Sequence, residues 1–320
     1  MTVAIVDAYM QPNIRPDVNL FSFFFGLPAM DGVNGDPKLS IMVPTGQSQP
    51  GLPPSNTNWG MEISLDVEWV HSIAPFANID LITTQDSGGD SLFGAEVDGL
   101  PFASGVGFAK SLPGVVVVSN SYGIPEFSRE TDYDSEFTTP KNNVAFVFST
   151  GDTGAPASYP SSSPNVVAVG GTSLYTRSIN GKYGSEIGWS LGSDPGAPDL
   201  ASSGGVSQFE PTPTYQSNNG VSLGNRATPD VSWLADPNTG VWLIDSLDFP
   251  GQLIEAGGTS LAAPMWAGLI ALSDQTRGAA GSLSSVGVLD SVYGAFNSSR
   301  YSTDFHDITV GNNGFAAGPG

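Results

Sequence analysis

The sequence predicts an α/β fold, a doubly wound domain with a mostly parallel central sheet flanked by helices. Three observations carry this. Short β-branched runs recur along the chain, separated by helical or mixed segments. The runs are apolar throughout and do not alternate, as expected of strands buried on both faces. Finally, 320 residues, 39% of them hydrophobic, are enough for one large core, and no internal repeat divides them.

The elements follow in order. "TVAIVDAY" (2–9), "IDLITT" (79–84), "GVVVVSNSYG" (114–123), "NVAFVFSTGD" (143–152) and "NVVAVGG" (165–171) read as buried parallel strands, with "GVWLID" (240–245) as a further candidate. Residues 60–74 and 92–110 have helical spacing, 128–139 has it more weakly, and 260–277 form an Ala-, Leu- and Ile-rich helix. The stretch 190–225, rich in Gly, Ser, Pro and Asn, reads as long surface loops, so residues 1–320 are expected to form a single domain.

Composition narrows the function. Thirty-one acidic residues against ten basic ones give a formal net charge of −21. Phosphate backbones would be repelled, which excludes nucleic acid as a partner class. The same charge is self-repelling at neutral pH and fades near pH ~4, where carboxylates protonate, so the chain suits acid. The absence of cysteine excludes disulfides, thiol catalysis and thiolate metal sites. No run of ~18 apolar residues is present to span a membrane. "MTVAIVDAYMQP" lacks a basic leader and enters a strand directly, so no signal peptide is expected in this chain.

The chemistry centres on "EAGGTSLAAPMWAG" (255–268). Gly257 and Gly258 permit a tight turn, and Ser260 then opens a helix, in the positive field of its free N–H groups. It reads either as a nucleophile or as a plain helix cap. A nucleophile needs a base, and the two histidines, His71 and His306, lie in no convincing motif. Glu62 and Asp66 are four residues apart, ~40° from one another on one helix face. Like charges at that spacing are unfavourable, so they belong either to a solvated face or to a proton-sharing pair. His71 falls ~180° around the helix from Glu62. Asp152 follows a very apolar strand, where open α/β sheets bind ligands, although an Asp there also suits a local Asx-turn. Asp7 ends the first strand and, with no histidine to orient, reads as structural.

"AIVDAY", "GLP", "EISLDVEWVHSIAP", "SNSYG", "STGDTGA", "VVAVGGT", "TPDVSWLADPNTG", "GGTSLAAPMWAGLIAL" and "FHDITVGNNG" stand in the order of the sedolisin family, the serine-carboxyl peptidases. The chain resembles that family over almost its full length. The resemblance implies a subtilisin-like fold and an acid-acting peptidase that forms an acyl-enzyme. Ser260 would be the nucleophile, Glu62 the general base, Asp66 its orienting partner, and Asp152 an oxyanion-hole donor. A carboxylic acid donates only while protonated, so an optimum between about pH 3 and 5 is expected. The resemblance also implies one calcium ion, with Asp307, the Ile308 carbonyl, and the Gly318 and Gly320 carbonyls as ligands. The family pattern continues with an aspartate two residues later, so the site is expected to be incomplete in this chain. An N-terminal prodomain, protein or peptide substrates, secretion and a monomeric state are implied as well. The sequence reads as a catalytic domain with truncated ends, and leaves endopeptidase and tripeptidyl-peptidase activity open. A Ser–His–Asp peptidase would need a His–Gly–Thr-type motif after the first strand, and none is present. The remaining alternative is an inactive peptide-binding scaffold of the same fold.

Overall fold

A computed structural model describes residues 1–44, 52–94, 104–139, 143–178, 181–192, 200–278 and 281–317. Eight strands form the central sheet: β1 (Thr2–Ala8), β2 (Leu39–Met42), β3 (Asn78–Thr84), β4 (Val115–Asn120), β5 (Ala145–Ser149), β6 (Val167–Thr176), β7 (Tyr183–Gly188) and β8 (Val231–Leu234). Seven are parallel in the order β8-β6-β5-β4-β1-β3-β2, and β7 pairs antiparallel with the far half of β6. The longer helices are α1 (Ile14–Phe25), α2 (Thr57–Ile73), α3 (Thr259–Arg277) and α4 (Ser285–Phe296).

Both faces of the sheet are covered, which explains the unbroken apolar runs. On β1, Val3 and Ile5 face a core with Ile63, Val67 and Val70 of α2 and Ala262, Ala263 and Ala267 of α3. Ala4, Val6 and Ala8 face a second core built on Phe137, Phe146, Phe148 and Tyr159. Helices α2 and α3 lie against each other on the first face. They approach closely at Gly268, where a Cβ would stand 2.8 Å from Ile73 Cβ. This packing fixes the distance between the two helices that carry the acids and the serine.

Several expectations need correction. Val241–Leu243 is not a sheet strand; it pairs antiparallel with Ile254–Ala256 in a separate ribbon. In 92–110, the described residues hold only the short helices Gly89–Leu92 and Gly105–Ala109, and 95–103 lie outside the described residues. Residues 128–139 contain a 3-10 helix, Glu130–Phe137. The expected loop 190–225 contains a strand, Gly205–Pro211, paired with Asn225–Thr228, and buries Ser202, Ser203, Tyr215 and Gln216. Among the described residues no helix is long and apolar enough to cross a membrane.

Candidate active site

The carboxyl ends of the sheet strands bring Asp7, within β1, and Ser121 and Asp152, in the loops after β4 and β5, towards the acids of α2 and the start of α3, where an open α/β sheet places a ligand. Asn56 caps α2, its Oδ1 accepting from the Trp59 N–H at 3.3 Å. One and two turns on, Glu62 and Asp66 lie on the same side, Asp66 fully buried and Glu62 half-buried. Ser121, just after β4, places its Oγ 3.0 Å from Asp66 Oδ1 and 3.3 Å from the carbonyl oxygen of Ser260. That carbonyl is free because Pro264, four residues on, has no N–H to return to it. The proline stands well inside the helix, deeper than the first turn, and hands the Ser260 carbonyl to Ser121.

Gly258 enters α3 at φ +99°, a conformation that favours glycine, and a Cβ there would stand 2.9 Å from Asp152 Oδ2. Asp152 Oδ1 accepts from the Thr259 N–H and from Thr259 Oγ1, both at 2.8 Å. Thr259 Oγ1 in turn accepts from the Gly151 N–H at 3.0 Å. Asp152 is thus fixed through one oxygen, and the other points at the glycine turn before Ser260.

Burial governs the electrostatics. It pushes Glu62 up to about 7, with Asp152 adding to the rise, while the Ser260 and Ser121 hydroxyls lie close enough to favour the ionised form. Glu62 Oε1 is nonetheless buried without a well-formed hydrogen bond. Burial also holds Asp66 well above the carboxylate range, helped by Asp7 and then Glu62. Asp152 is raised by burial, partly offset by Thr259. Asp7, which reads as structural on sequence grounds, is fully buried, has no hydrogen-bond partner on either carboxyl oxygen among the described residues, and is raised by burial and by Glu62. The site therefore holds three neighbouring carboxyls, and they titrate as one unit. Ser121, the serine of "SYG", carries no signal in the sequence; the end of β4 places it beside α2.

Neither histidine joins the site. Burial pulls His71 below its ordinary value, and its Nε2 lies 2.9 Å from the Pro28 carbonyl and 3.1 Å from Ser22 Oγ. His306 stacks on Tyr183 at 3.7 Å. Of the expected calcium ligands, Asp307 engages the Tyr301 hydroxyl, Ile308 is half-buried, and Gly318 and Gly320 lie outside the described residues. One carboxylate and one carbonyl fall short of the 6–8 oxygens calcium takes, so the described residues do not by themselves fit the ion.

Comparison with known proteins places the fold in a family. Residues 64–286 match the model of the subtilase family. Sedolisin from Pseudomonas sp. (strain 101) is 40% identical over 49% of this chain and 25% of its own length. Kumamolisin from Bacillus sp. (strain MN-32) is 28% identical over 95% of this chain and 54% of its own length. The structure of Pseudomonas sedolisin, a serine-carboxyl proteinase complexed with pseudo-iodotyrostatin, superposes with a TM-score of 0.79 at 28% identity, covering 99% of this chain and 85% of that one. A cold-adapted subtilisin-like serine proteinase shares the fold, with a TM-score of 0.50 at 16% identity over 92% of this chain and 80% of that one. The chain belongs to the subtilase family, as a catalytic domain of its sedolisin branch. It spans a quarter to about half the length of these curated relatives.

Proposed function

We propose that this domain is an acid-acting serine-carboxyl peptidase that cleaves protein or peptide substrates. Ser260 Oγ attacks the scissile carbonyl and passes its proton to Glu62, which then protonates the departing amine. In the second half, water attacks the acyl carbon as Glu62 takes its proton, and Glu62 returns that proton to Ser260 Oγ as the C–Oγ bond breaks and the acid product leaves. Asp66, held by Ser121, orients Glu62. Asp152, protonated on Oδ2, donates to the oxyanion together with the Ser260 N–H, which has no carbonyl to reach within its own helix turn.

The observation that supports this most is the seating of Asp152. One oxygen accepts twice from Thr259, as the carbonyl oxygen of a neutral acid would, and the other faces the turn before Ser260. The acid window follows from the same groups. Turnover needs two protonation states at once: one of the three coupled carboxyls must be ionised to supply the base, whereas Asp152 must keep its proton. A maximum between about pH 3 and 5 is expected. Hydrolysis of an unfolded protein at pH ~4, compared with Ser260→Ala, is the test. Cleavage undiminished in Ser260→Ala would overturn the reading, as would a maximum at pH ~7–8. Secretion belongs to the same proposal; the described residues supply too few oxygens for calcium, so titration calorimetry with and without chelator should show no tight binding of the ion.

A further inference from the structure

A second group of acids lies along α2 and takes no part in this mechanism. Glu68 of α2, Asp17 of α1 and Asp245 of the loop after Val241–Leu243 are all buried, with Asp248 half-buried beside Asp245. Gln11 Nε2 lies 2.7 Å from Asp17 Oδ2 and 3.3 Å from both Asp245 Oδ1 and Ser64 Oγ. The loop is anchored to these acids through its backbone. The Ile244 N–H donates to Glu68 Oε2 at 3.0 Å, the Ser246 N–H to Asp17 Oδ2 at 2.9 Å, and the Leu247 N–H to Asp245 Oδ1 at 3.0 Å. Glu68 Oε1 and Asp245 Oδ2 are buried with no hydrogen-bond partner among the described residues. At Gly60, two residues before Glu62, the loop comes so near that a Cβ would stand 3.0 Å from Leu247 Cδ2 and 3.3 Å from Asp248 Oδ2.

Something must neutralise this group, since unpaired buried charge is costly. No ion pair among the described residues includes any of the four acids. Arg15 turns to the Leu39 carbonyl, and His71 to Pro28 and Ser22. Among the described residues, no set of three acidic or histidine side chains converges to hold a metal. Protons remain. Burial, then Asp17 and Asp245, push Glu68 up to about 9, while burial and Asp248 push Asp245 up to about 6.

We propose that Glu68 and Asp245, the latter tied through Gln11 to Asp17, form a proton-held clamp that seats loop 244–248 on α2 and thereby positions Glu62 and Asp66. Protonated, the clamp holds. As pH rises, charges accumulate without a counter-ion, the loop is released and α2 loses its brace. Glu68 and Asp245 are positioning residues acting through the helix. Their effect on turnover rests on the peptidase reading; the clamp itself does not.

The test uses Ser260→Ala protein, so that self-cleavage is excluded, and hydrogen exchange corrected for the intrinsic pH dependence of amide exchange. Protection of the Ile244, Ser246 and Leu247 amides should fall at least about tenfold between pH ~6 and ~9, while β1 and β5 stay protected. Glu68→Gln and Asp245→Asn keep the shape but cannot ionise, and each should move that loss upward by about one pH unit or more. In active protein carrying Asp152→Asn, where the loss set by Asp152 is removed, the same variants should move the remaining alkaline limb of the activity profile and leave the acid limb in place. Loop protection unchanged through pH ~9, or variant midpoints equal to the parent's, would overturn the clamp. Should either variant not fold, the parent's exchange profile decides. Loop release as expected in a protein that hydrolyses nothing would sustain the clamp and sink the peptidase reading.

Discussion

Asp152 offers one oxygen to Thr259 and keeps the other for whatever approaches Gly258, so its two atoms are separately testable. Asp152→Ala should cost about 10²–10³-fold in turnover, the range for one oxyanion donor. Asp152→Asn still donates at any pH. It should retain more activity than Ala, and the part of the alkaline limb that Asp152 sets should disappear. Equal losses in both variants, read from kcat/KM profiles, would remove Asp152 from the oxyanion role. Asp7 is testable by charge alone. As a buried neighbour that raises Asp66 and is itself coupled to Glu62, it makes ionisation of the acids harder. Asp7→Asn should therefore move the acid limb to lower pH, and an unmoved limb would return Asp7 to a purely structural role.

Pro264 illustrates how a helix defect is put to use. Pro264→Ala restores an N–H that competes with Ser121 for the Ser260 carbonyl. Removing a helix-interior proline should raise the melting temperature while turnover falls; a rise in both would mean the Ser121 link is idle. Gly268→Val should drive α2 from α3 at Ile73, cost about 1–3 kcal/mol in urea unfolding, and lower activity. These elements also show what the sequence made legible. β1, β4 and β5 stand out because both faces are buried, so each carries a run of four consecutive apolar residues. α1 does not, because it carries Pro16 and turns Phe23, Phe24 and Phe25 outward, which breaks the one-sided pattern. β8 was hidden because it is a four-residue edge strand. At the site, Ser260, Glu62, Asp66 and Asp152 lie in local motifs. Asp7 and Ser121 matter only through burial and long-range approach, which spacing does not encode.

Across the whole molecule the buried acids set the pH response of the fold. Glu62, Glu68, Glu130, Glu210 and Asp245 are raised to about 7, 9, 7, 8 and 6, in each case chiefly by burial. Folded values above unfolded ones mean that the native state binds more protons than the unfolded chain at intermediate pH. Stability is then fully present below the unfolded carboxyl range, near pH ~4, and is lost as pH rises through about 6 to 9. Calorimetry of Ser260→Ala protein should show the melting temperature falling across that span, and a constant or rising value would contradict the burial of these groups. The sheet order has a consequence of another kind. β1 is first in the chain yet lies mid-sheet, where Thr2 registers with Asn78 on one side and Val115 on the other. Parallel neighbours cannot be reached by a hairpin, so each pairing must close a long loop before it returns any contact energy. Refolding should therefore be slow, with β1 unable to find both neighbours until Val115 has joined it, and aggregation competing during that interval.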